Sequence, residues 1–66
     1  MNESKYRVKE LREKAKMTQE ELAKTAGISR VTLSGIESGT AEVATTKTLS
    51  KLAEALNVSI RDIFLP

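Results

Sequence analysis

Arg30, Val31 and Ser34 stand close together in the stretch GISRVTLSGIESG, Gly27 to Gly39. Their types suit one kind of chemistry, the reading of base edges in a duplex major groove. An arginine fork bonds the O6 and N7 of guanine, a valine packs on a thymine methyl, and a serine hydroxyl meets a base edge or a phosphate. At helical period the same stretch turns Ile28, Leu33 and Ile36 to one side. The other side keeps a valine, a glycine (Gly35) and a lone arginine, a mixture that suits neither water nor a core.

Other chemistries find little support. The 66 residues contain no histidine and no cysteine, which removes the usual neutral-pH proton shuttle, thiolate metal sites and disulfides. The Glu20/Glu21 pair falls in the first turn of a helix, where acidic groups favour the dipole, and no partner base accompanies it. GIESG matches G-x-x-x-G, but Glu37 sits inside it and no apolar stretch surrounds it. No enzyme activity, metal or cofactor is expected. The chain lacks the roughly 20 apolar residues that a membrane span needs and has no signal-peptide core, so a soluble cytoplasmic protein with no membrane partner is expected.

Net charge is +2, unevenly spread. Residues 1–16 hold six basic and three acidic groups, or +3, and the rest hold five basic and six acidic, or −1. A basic end fits a polyanion partner, and equally a solvated helix laced with opposite-charge pairs.

These residues must be positioned by helices, since apolar spacing is helical throughout and strand alternation is absent. Val8, Leu11 and Ala15 predict a first helix ending near Lys16. Thr18 with Glu21 predicts a capping box for a second, running to about Ala26 with Leu22, Ala23 and Ala26 inward. Gly27 suits a left-handed stop. Ser29 caps a third helix that Gly39 ends. Thr45 or Thr46 opens a fourth with Leu49, Leu52, Ala53 and Leu56 inward, stopped by Asn57. Ser59 and Asp62 cap a short fifth carrying Ile60, Ile63 and Phe64. The expected core is Val8, Leu11, Leu22, Ala23, Ile28, Leu33, Ile36, Leu49, Leu52, Leu56, Val58 and Ile63. A single all-α domain over residues 1–66 follows, with no effector-binding domain. It is small, since a chain of this size buries only about 60% of the surface its unfolded form exposes.

The second and third helices, joined through TAGIS, form a helix-turn-helix candidate over about residues 18–38, with the third presented as a ridge of groove width. TQEELAKTAGISRVTLSGIESG, with LREKAKM before it and TLSKLAEALNVSIRDIF after it, resembles the Cro/cI-type, lambda repressor-like regulators over nearly the whole chain. That resemblance implies a compact five-helix fold, double-stranded DNA as partner and, commonly, a homodimeric prokaryotic transcriptional repressor. It also implies backbone or groove-edge contacts by Gln19, Ser29, Thr32, Ser38, Lys47 and Arg12, a bracing of the third helix by Gln19, and an interhelical salt bridge between Arg12 and Glu37. Two departures stand out. The loop TAEVATT brings Glu42 and no positive charge before Lys47, so the backbone grip should be weaker than in more basic relatives. Gly35 stands where a polar or basic residue is common.

One recognition helix makes few contacts, so two, about 34 Å apart, are expected on a palindromic operator. Ile60, Phe64 and Leu65, with Val43, form the expected dimer flank. The alternative is a protein-interaction module, such as an antitoxin of the same fold, with a protein partner and DNA binding secondary.

Overall fold

The computed structural model describes residues 6–40 and 44–64. They form five helices: α1 (Val8–Lys14), α2 (Gln19–Ala26), α3 (Arg30–Ser38), α4 (Thr46–Leu56) and α5 (Ile60–Ile63). The longest has 11 residues, below the length at which an isolated helix persists in water, so tertiary packing must hold each in place. α2 packs on α3 and α4, α5 packs on α4, and α1 reaches both α3 and α4.

Each helix supplies one fully buried anchor: Val8, Leu22, Leu33, Leu52 and Ile63. Ala23, Ala26, Ile36, Leu49, Ala53 and Leu56 complete the buried core. Leu11, Ile28 and Val58 are only half-buried, packed against that core from its rim. Ala23 and Ala26 matter by being small, since the two helices of a tight helix-turn-helix approach closely only where side chains are short.

Local signals set most helix ends. Glu21 N–H donates to Thr18 Oγ1 at 3.0 Å, and Thr18 N–H donates back to Glu21 Oε1 at 2.8 Å, so both halves of the capping box are made. The Thr18 backbone hydrogen bond, then that of its side chain, holds the Glu21 carboxyl below its ordinary value. Ser29 and Thr45 accept from the backbone N–H of Thr32 and Thr48 at 3.0 and 3.1 Å. α2, α3 and α4 stop on Gly27, Gly39 and Asn57, at φ values of 72°, 80° and 59°. Ser59 N–H donates to Asp62 Oδ2 at 3.1 Å and opens α5.

The first helix is shorter than its spacing suggests. It stops at Lys14, the Ala15 N–H closes onto the Leu11 carbonyl and the Lys16 N–H onto that of Glu13, both at 3.0 Å, and Lys16 takes the left-handed conformation at φ 58°. Ala15 therefore faces solvent rather than the core. No described residue forms a strand. A single antiparallel bridge joins Tyr6 to Phe64, beside an Arg7 N–H to Ile63 carbonyl bond of 2.6 Å.

Gly27→Ala tests the α2–α3 turn. An added Cβ there meets nothing within 4 Å, so only the backbone conformation is strained, at about 1–2 kcal/mol. Urea unfolding should show a loss of that size with an unchanged m-value; a neutral substitution would mean that the turn does not need its left-handed residue.

Candidate nucleic-acid interface

The turn after α2 carries two backbone closures: Gly27 N–H donates to the Lys24 carbonyl at 3.2 Å and Ile28 N–H to the Ala23 carbonyl at 3.0 Å. The chain then leaves at Ser29, extended at ψ 150°, and starts α3 across the small residues of α2. Leu33, Ile36 and Glu37 are drawn inward. Arg30, Val31, Thr32, Ser34 and Ser38 are left exposed. Val31 is 83% exposed, the most exposed large apolar side chain of the described residues.

The polar groups on this ridge differ in how free they are. Ser29 Oγ donates to Thr32 Oγ1 at 2.8 Å while capping α3, so these two hydroxyls hold each other in place. Ser38 Oγ lies 2.9 Å from Thr40 Oγ1. Among the described residues, Arg30 makes no ion pair and the Ser34 hydroxyl no hydrogen bond, so both can engage an outside ligand without breaking an internal contact. A cleft runs beside the ridge to the start of α4, with Val31, Thr32 and Gly35 on one wall and Thr45 and Thr48 on the other. Lys47 is exposed at the second position of α4.

Behind the ridge lies a polar cluster. Arg12 Nε donates to Glu37 Oε2 at 2.7 Å, Nη2 to Glu37 Oε1 at 3.1 Å and Nη1 to the Met17 carbonyl at 2.8 Å. Gln19 Nε2 adds a bond to Glu37 Oε1 at 3.0 Å. The Arg12 and Glu37 side chains are 12% and 3% exposed, so this is a desolvated bidentate pair whose lone pairs and protons are well matched. The hydrogen bonding that Arg12 donates to Glu37 holds its guanidinium above its ordinary range, against the opposing effect of burial. One contact set thus ties α1, the start of α2 and α3 together.

Comparison with known proteins places this architecture. A family model described as helix-turn-helix matches residues 8–63. An uncharacterised HTH-type transcriptional regulator of Archaeoglobus fulgidus is 44% identical over 59 residues, 89% of this chain and 82% of that protein. The chain belongs to the Cro/cI-type helix-turn-helix family of DNA-binding regulators. Among solved structures, the restriction-modification controller protein C.AhdI of Aeromonas hydrophila matches with a TM-score of 0.80 and 36% identity, over 85% of this chain and 83% of that one. SinR, the master regulator for biofilm formation, in complex with DNA matches at 0.80 and 31%, over 83% and 87%. The SinR–SinI complex matches at 0.80 and 31%, over 83% of this chain and 53% of that one. The five helices are the all-α, lambda repressor-like arrangement.

Within this family fold, the candidate residues separate by position. Arg12 points its donors inward, so it stands behind the ridge rather than on it, and a phosphate contact through Arg12 would compete with Glu37. Gln19 is half-buried with its amide on Glu37 of α3, 18 residues along the chain, a brace on that helix of the kind the family resemblance implies. Ile60 is half-buried and packs against the core. Phe64 is 47% exposed and meets Tyr6 edge-on, with centroids 5.9 Å apart at 63°. Val43 and Leu65 lie outside the described residues. No described helix is long and apolar enough to cross a membrane, and no described cluster of acidic residues fits a metal ion.

Removing one member of the buried pair strands the other. Glu37→Ala should cost about 3–5 kcal/mol in urea unfolding, and Arg12→Met with Glu37→Leu considerably less. A single-variant cost below about 1 kcal/mol would put the pair in the class of exposed ion pairs.

Proposed function

We propose that this regulator is a sequence-specific repressor that binds a palindromic operator as a homodimer. Arg30, Val31 and Ser34 read base edges, while Gln19, Ser29, Thr32, Ser38 and Lys47 hold the phosphate backbone or the groove edge. The observation that carries this reading is the exposure of Val31 beside an Arg30 that makes no ion pair among the described residues, on a helix whose other apolar residues are buried. Water offers no reward for a valine in that place, but a thymine methyl does. The exposed edge is short, about two turns, so a single copy makes few base contacts. A second copy joined through the Ile60–Phe64 flank makes the second half-site nearly intramolecular and raises affinity without new chemistry.

A second reading has one observation behind it. SinR, a similar chain, is known in complex with the protein SinI, so a protein partner on the same fold is a working alternative for this chain's apolar flank.

Selection from random duplex DNA tests the first reading. An enriched palindrome with half-sites about one helical turn apart is expected. Arg30→Ala should relax preference at one position per half-site and weaken specific binding by about 1–3 kcal/mol. No enrichment at low salt would end the base-reading account, and an equal loss on every sequence would make Arg30 a phosphate contact.

Phe64→Ala should shift sedimentation toward monomer. Because the Tyr6 contact is lost as well, helicity by circular dichroism is followed in parallel; a folded variant of unchanged dimer mass removes this flank from the interface.

A further inference from the structure

A small cleft opens toward the C-terminal end of the recognition helix. It is lined by Lys9 of α1, Gln19 at the first position of α2, and Ser34, Glu37 and Ser38 of α3. Lys9 lies outside the helix-turn-helix, yet the fold carries it to the flank of the ridge that bears Arg30 and Ser34. Three residues before Arg12, it shares that residue's side of α1. Arg12 turns in to Glu37, while Lys9 stays exposed.

The electrostatics of the cleft are one-sided. Its single carboxylate, Glu37, is already matched by Arg12 and hydrogen-bonded by Gln19. Lys9 makes no ion pair among the described residues, Glu13 one turn along α1 included. The unmatched charge is therefore positive, and the hydroxyls of Ser34 and Ser38 stand at its border. An ammonium is a compact point charge with rotatable donors, suited to an anionic oxygen rather than to planar recognition of a base.

We propose that Lys9 clamps one phosphodiester of the DNA strand bordering the groove that α3 enters. This rests on the reading that the Arg30–Ser34 edge enters a duplex. An α-helix lying in the major groove has a sugar-phosphate strand along each flank, and Lys9 is carried on such a flank. The clamp supplies affinity without sequence information, in a chain whose TAEVATT loop offers no cation until Lys47. Charge that the loop lacks is thereby supplied from the first helix.

The experiment is the salt dependence of binding for the wild type and Lys9→Gln. Two duplexes of equal length serve, one selected from random DNA and its scrambled counterpart. Neutralising one phosphate changes the slope of log K against log salt by about 0.9. Lys9→Gln should therefore flatten the slope by about 0.9 for each chain bound, on both duplexes, and leave base preference and the melting temperature unchanged. Lys14→Gln, on the same helix but away from the cleft, should keep the wild-type slope. If the wild type prefers the selected duplex and Lys9→Gln keeps its slope, the clamp is wrong while base reading stands. A loss confined to the selected duplex also overturns the clamp, because Lys9 would then touch a base. A wild type that binds neither duplex removes the groove-entry reading and the clamp with it.

Discussion

Glu37 is a carboxylate kept almost entirely from water, and the arrangement of the first three helices turns on how its charge is met. A buried charge left alone costs several kcal/mol, comparable with the whole stability of a domain this small. The cost is offset only because an arginine fork from α1 meets both of its oxygens and an amide from α2 meets one of them again. The pair need not stabilise the fold more than apolar residues would. What it does is fix a relation, because its geometry admits one placement of α1 and α2 against the back of α3. The front of α3, which carries Arg30 and Val31, is held at a set angle as a result.

The apolar core sets the same relation by different means. Five anchors, one from each helix, converge between α2, α3, α4 and α5 with α1 closing one side. Small residues at the α2–α3 crossing let the recognition helix lie close, while Leu33 and Ile36 fix its rotation about its own axis. Rotation is what sorts Val31 outward. The exposed valine is thus not a lapse in patterning; it is the remainder left after the core has taken its share.

Much of this was legible because much of it is local. Caps and stops depend on a few adjacent residues, so Thr18, Glu21, Gly27, Ser29, Gly39 and Asn57 announced the ends of α2, α3 and α4 without any tertiary knowledge. The end of α1 was not announced, because its left-handed residue is Lys16, a type that gives no such signal. Ala15 consequently faces water although its spacing pointed inward. Leu11, Ile28 and Val58 carry the right polarity for a core, but how deeply each is buried depends on helix crossings that spacing alone does not give. The trio proposed to read bases could be named from one helix face. Lys9 could not, since its place beside Ser38 arises only when α1 folds back onto α3; its spacing from Arg12 was the one available hint.

The shortness of the helices has a consequence of its own. Not one of the described helices is long enough to persist by itself, and each is held by the neighbours it packs on. The exposed edge of α3 therefore owes its shape to α2 and α1, which pack against the helix from behind, rather than to any persistence of the helix alone.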